Sequence, residues 1–262
     1  MWARLSCAWN LAGGNGALKR GDLTEAERCL REALRIAQER GWSGIEEKAL
    51  SSLLILSSKI GTDPDCERYA RRLTELRERH LGTEHRLVLD ARVALASALQ
   101  DREAWTEADA LLRHDLLAIE RAWGPRDIVL AGAMFFMARG CLRLGRLGEA
   151  VESGRRALEI VQDRAGHDGD LDLRIVDTLA KALTFAGQPG LAEPLLRKAV
   201  ADTERRFGTS HPDLASRCKP KTACSSVIRA LAAALGEQGM EFERLEMLKD
   251  AISERRSRPT SS

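Results

Sequence analysis

Four glycines, Gly82, Gly124, Gly166 and Gly208, follow one another at 42-residue steps. A spacing kept that long restricts the chain to architectures that repeat one supersecondary unit. A second series, Ala108, Ala150 and Ala192, keeps the same step inside WTEADALLRHDLLAIE, LGEAVESGRRALEIV and GLAEPLLRKAVADTE. Backwards it reaches Cys66 and then, after a repeat two residues shorter, Ala26 in LTEAERCLREALRIA. Each segment follows another amphipathic stretch: IEEKALSSLLILSSKIG, LVLDARVALASALQD, IVLAGAMFFMARGCLRLG or LRIVDTLAKALTFAG. Their apolar residues recur at three and four, as one buried helix face requires. Gly21, Gly61, Gly145 and Gly187 stand five residues before the anchoring small residue, where a helix ends in the left-handed conformation that glycine permits. The unit is therefore helix, tight turn, helix. Glu103 takes the turn position in the third repeat, so that corner is expected to close without glycine.

Small residues mark where the two helices of a unit meet: Gly14, Ala96, Ala138, Ala180 and Ala232 on the first helix, and the Ala26 series on the second. Short side chains let backbones approach there while Leu, Met and Ile fill the flanks. Leu54 and Arg244 break the series. The composition agrees: 44% hydrophobic but only 4% aromatic, with Ala and Leu dominant, suits packed helices better than a β-sandwich.

Taken with Ala33, Ala157, Ala199 and Ala251, seven residues after the anchor, and with boundary phrases such as FGTSHPDLA, the pattern resembles the tetratricopeptide repeat (TPR) family in its longer, kinesin-light-chain-like form. The resemblance covers residues 2 to 256. It implies an all-α, right-handed solenoid of about six repeats, at about 2–41, 42–82, 83–124, 125–166, 167–208 and 209–256. Leu73 and Asp115 depart from the family pattern, standing where the second alanine is expected.

The sixth unit carries an addition. Ile175, Leu179, Leu183 and Gly187 reappear as Val227, Leu231, Leu235 and Gly239, ten residues later than the step predicts. The extra residues fall near 217–226, at RCKPKTAC, where Pro220 would break a helix. Two cysteines beside two lysines do not make a four-ligand metal site, and the segment reads as an inserted surface loop. The tail at 257–262 reads as disordered.

Function classes narrow by exclusion. Lys plus Arg number 41 against 39 Asp plus Glu, interleaved along the chain, so nucleic acid is not an expected partner. The chain has no run of 18 apolar residues, so no membrane span is expected. Asn10, Gly13, Gly14 and Asn15 interrupt the opening stretch, so no export signal is expected. The six cysteines form no CxxC pair and are expected to be reduced thiols in a cytoplasmic protein. Cys29, Cys66 and Cys141 read as small packing residues. His85, His167 and His211 sit at or near inter-repeat turns, too far apart to share an ion. AGGNGALKRG lacks the ending of a phosphate loop and reads as a loosely formed first helix. HDGDLD fails as a calcium loop, because Leu173 and Leu179 stand where glycine and a carboxylate are needed. No nucleophile has a base beside it, so neither an enzyme nor a cofactor is expected.

The resemblance places function on an inner wall lined by the first helix of each unit. Asn15, Ile55, Ser97, Arg139, Lys181 and Ala233 fall at equivalent inner positions. Arg143, Arg174 and Asp177 flank them, with Phe135 and Phe136 one turn before Arg139. Repeats four and five thus read as a basic, partly aromatic trough for an acidic peptide or a terminal carboxylate. The expected function is a non-catalytic scaffold that binds a peptide or partner helix. The alternative is a regulatory or sensor repeat module of a signalling system. The start of the chain, with Trp2, Leu5 and Trp9, is expected to pack against another protomer or a larger protein.

Overall fold

The computed structural model describes residues 2–61, 63–163 and 169–207, and these form ten α-helices with no strand among them. In chain order they are α1 (Trp2–Arg20), α2 (Leu23–Glu39), α3 (Ser43–Ile60), α4 (Cys66–Leu81), α5 (Arg86–Asp101), α6 (Trp105–Trp123), α7 (Ile128–Arg143), α8 (Leu147–Gln162), α9 (Gly169–Phe185) and α10 (Pro189–Phe207). The inserted segment at 217–226, the sixth helix pair, the tail, His167, His211, Ala232 and Ala251 lie outside the described residues. The helices fall into two compact units, Met1–Gly124 and Pro125 onward.

Helix starts follow from local chemistry. Orphan amides of the first turn need acceptors, and the side chains of Asp22, His85 and Asp127 accept from the amides of Glu25, Leu87 and Val129. The corners share one geometry. Gly21, Gly145 and Gly187 have φ of 80°, 76° and 73°. At each, the glycine amide donates to the carbonyl three residues back, and the next amide to the carbonyl five back. The third repeat closes the same way without glycine: Glu103 takes φ 63°, its amide donating to Gln100 and that of Ala104 to Leu99.

In the first unit each helix packs on the next from α1 to α6, and α1 also touches α3; in the second, α7, α8, α9 and α10 pack in sequence and α7 also lies on α9. The anchoring alanines Ala26, Ala108, Ala150 and Ala192 are fully buried, as are Ala96 and Ala138. Gly14 shows why the contact must be small: a Cβ there would lie 2.7 Å from Leu30 Cγ. Around these contacts Leu30, Leu50, Leu53, Leu89, Leu99 and Leu130 are buried, each contributing about 1.5–3 kcal/mol of transfer free energy. The expectation of a loosely formed first helix is corrected, since α1 runs unbroken through AGGNG.

Charges are also built into the first unit. Arg72 reaches the buried Glu46 at 2.7 Å. Arg77 joins Glu47 on α3 to the Leu87 carbonyl and Asp90 on α5. Arg92 on α5 holds Glu78 of α4 and Asp115 of α6. Asp115, at one of the departing alanine positions, is 2% exposed and also lies 2.7 Å from His114 Nδ1.

Candidate functional site on the first helices

Of the sequence-predicted residues, Asn15 is half-buried on α1 and Ser97 half-buried on α5, both in the first unit. The others lie on α7 and α9, which pack side by side in the second. On α7 Gly132, Phe136 and Arg139 are half-buried and Arg143 exposed, spaced by three or four residues as one helix face demands. On α9 Arg174, Asp177, Lys181 and Phe185 form the matching stripe.

The two faces are joined by stacked rings and cations. The Phe135 and Phe136 rings lie 5.0 Å apart, tilted by 56°. The Arg174 guanidinium of α9 sits 4.9 Å from the Phe135 ring centre, and the Arg139 guanidinium 5.8 Å from that of Phe136. A ring face attracts a cation through its quadrupole, and this holds each guanidinium in place. One turn along α9, Lys181 Nζ lies 2.6 Å from Asp177 Oδ2, while Asp177 Oδ1 is buried without a hydrogen-bond partner. Thr178 Oγ1 donates to the Arg174 carbonyl at 2.9 Å.

Phe135 corrects the expectation that both rings line an open wall. It is 2% exposed, a packing residue that supports Arg174 from beneath, while Phe136 is half-buried. Sequence reasoning missed Gly132, where a Cβ would enter open space, and Phe185, which is 70% exposed. The signal for Phe185 was available, one helical turn beyond Lys181 on the same face.

The chemistry of the described residues suits binding. Burial pushes the Cys66 thiol up to about 11 and raises the thiols of Cys7 and Cys29 as well, which leaves them protonated and unreactive at neutral pH. Among the described residues no three His, Cys, Asp or Glu side chains gather to hold a metal ion. No described helix is long and apolar enough to cross a membrane.

Comparison with known proteins agrees with this geometry. Residues 173–213 match the tetratricopeptide repeat family model. No curated protein matches the chain. Among solved structures, the nearly identical TPR-like repeats ascribed to a kinesin light chain of Podosopora anserina superpose with a TM-score of 0.59 at 22% identity, covering 88% of this chain and 97% of that one. BtubC (BKLC) from P. vanneervenii superposes with a TM-score of 0.60 at 19% identity, covering 76% of this chain and 80% of that one.

Proposed function

We propose that this tetratricopeptide-repeat array, with the fold of kinesin-light-chain repeats, is a non-catalytic scaffold whose second unit binds an acidic peptide or partner segment along α7 and α9. Tetratricopeptide folds generally serve protein interaction, and the further step rests on one observation. Arg139 and Arg174 are stacked on adjoining phenylalanine rings, so two guanidinium groups are oriented before any ligand arrives. Preorganisation lowers the entropy lost on binding, and guanidinium forks make strong charge-assisted bonds to carboxylates. The sequences of α7 and α9 carry Arg139, Arg143, Arg174 and Lys181 against Asp170, Asp172 and Asp177, and α7 itself has no acidic residue. The surface therefore favours an anionic partner, with Phe136 and Phe185 offering apolar contact beside the charges.

Fluorescence polarisation with a labelled Asp/Glu-rich peptide tests the reading. Reversal of Arg139 and Lys181 to glutamate should weaken binding by about tenfold or more, and added salt should weaken the wild-type complex in the same direction. Binding unchanged by the double reversal rejects this surface.

A further inference from the structure

In the first unit, one face of α1 is left open by the other described residues. On α1, Trp2 is 86% exposed, Leu5 59% and Trp9 81%. Ala12 and Gly13 are exposed and Gly16 half-buried. At 100° per residue these six lie on one stripe, away from the side on which Cys7 and Gly14 are buried and bordered by the buried Ala17. No charged residue stands on the stripe from Trp2 to Gly16, and only the flexible end of Arg20 reaches over its last position, which is unusual for a face meant to meet water.

The internal repeat shows what such a face is built for. The first repeat step is 40 residues, from Ala26 to Cys66. It carries Trp2, Leu5, Trp9, Ala12, Gly13 and Gly16 onto Trp42, Ile45, Ala49, Ser52, Leu53 and Leu56 of the second repeat. There Ala49, Ser52, Leu53 and Leu56 are buried, and Trp42 and Ile45 pack partly buried against the same core. Both helices of the preceding repeat touch α3, α1 through Arg4 over the Trp42 ring and α2 through Gln38 bonded to the neighbouring Glu46. The open stripe on α1 is thus the equivalent of a surface that a helix covers one repeat later.

The order of side chains along the stripe identifies that helix. Trp2 and Gly16 each lie seven residues from Trp9, and Leu5 and Gly13 each lie four. Large residues occupy one half and small ones the other, so the stripe is complementary to itself when run antiparallel. We propose that α1 pairs with α1 of a second copy of this chain about a two-fold axis at Trp9. Trp2 then fills the space over Gly16 of the second copy, Leu5 that over Gly13, and the two Trp9 rings meet at the axis. In an isologous contact of this kind each match occurs twice. The two indoles and the leucine expose roughly 500 Å² per copy. With the surface they would cover, the pair reaches the lower end of specific interfaces, about 1,200 Å² in total. Lys19 falls beyond the overlap, and the flexible end of Arg20, which lies over Gly16, swings aside for Trp2 of the second copy.

Sedimentation velocity on the full chain over a micromolar range tests the pairing. The wild type should sediment as a dimer of 28.9 kDa chains. The discriminating variant is Gly13→Gln with Gly16→Gln. A Cβ at Gly13 meets only Cys29 Sγ at 3.8 Å, and one at Gly16 only the flexible end of Arg20 at 3.3 Å. Glutamine also favours helix over glycine, so the monomer keeps its fold, checked by an unchanged or raised melting temperature. The added bulk should raise the dimer dissociation constant by at least about tenfold, and Trp2→Ser with Trp9→Ser should do the same. A monomeric wild type overturns the proposal, and its tryptophans being shielded from acrylamide would name another segment of the same chain as the occupant. A dimer that survives the glutamine pair overturns it equally.

Discussion

Glu103 occupies a left-handed corner that the array elsewhere gives to glycine, and Glu103→Gly is expected to stabilise the first unit. Its φ is 63°, against 80° at Gly21, 76° at Gly145 and 73° at Gly187, and it is the only described residue other than glycine with positive φ. For an L-residue the left-handed region costs about 1–2 kcal/mol through the approach of Cβ to the carbonyl oxygen. Glycine removes that cost but loses about 0.5–1 kcal/mol more backbone entropy on folding. The Glu103 side chain is exposed, so the substitution sacrifices little contact. The net gain is about 0.5–1 kcal/mol, a rise in melting temperature of roughly 1–4 °C for a chain of this size. Thermal unfolding followed by circular dichroism, with urea unfolding in parallel, should rank Gly above Asn, Asn above Glu, and Val below all of them. Asn belongs in the middle because it tolerates the left-handed region better than other side chains. A glycine variant no more stable than wild type, or a valine variant equal to it, would refute the assignment of strain to this corner.

Three further outcomes follow from the same geometry. Gly82 and Gly124 combine φ of 83° and 91° with ψ of 160° and 166°, a region essentially closed to other residues, so alanine at either should cost about 1–3 kcal/mol in urea unfolding. Gly14→Ala should lose about 1–3 kcal/mol because its Cβ would collide with Leu30, whereas Gly148→Ala, on a helix with open space around it, should gain up to about 1 kcal/mol. Burial works to raise the Glu46 carboxyl, but the hydrogen bonds from Arg72 and Gln38 outweigh it and hold the group below its ordinary value of 4.5. The folded state then binds fewer protons than the unfolded one near that value, so this contribution is present above pH 4.5 and is lost as the pH falls through the lower folded value. Unfolding midpoints measured down through that window should fall less steeply for Glu46→Gln than for wild type.

The helical repeat was legible because its determinants are local. Apolar periodicity announces each buried face, and glycine at a corner announces a backbone that other residues resist. What escaped prediction depends on partners distant in sequence. The glycines of AGGNG argue against helix when each is weighed alone at about 1 kcal/mol, yet α1 forms because Gly14 must admit Leu30, sixteen residues later. Phe135 and Phe136 are neighbours in sequence, and only the packing of α9 on α7 decides that the first is buried beneath Arg174 while the second stays half-buried. That Phe136, Arg139 and Arg143 share one face of α7, and Arg174 and Lys181 one face of α9, could be read from the register; the stacking that orients the guanidinium groups of Arg139 and Arg174 could not.

Asp115 carries the same lesson into energetics. It stands where Ala33, Ala157 and Ala199 pack in other repeats, and a carboxylate buried there alone would cost several kcal/mol. Arg92 meets it at 2.9 Å from 23 residues upstream, and the same guanidinium holds Glu78, so one side chain ties α4, α5 and α6 together. Arg77 does likewise one helix earlier, linking α4 to Glu47 on α3 and to Asp90 on α5. Small-residue contacts alone tolerate sliding, since an alanine displaced by one turn meets another apolar surface and loses only packing. A one-turn slip of α5 against α4 would instead separate Arg77 from Asp90 and Arg92 from Glu78, leaving buried charge poorly compensated. In the first unit, therefore, apolar burial supplies the drive to stack, and the departures from the repeat fix the alignment in which the helices stack.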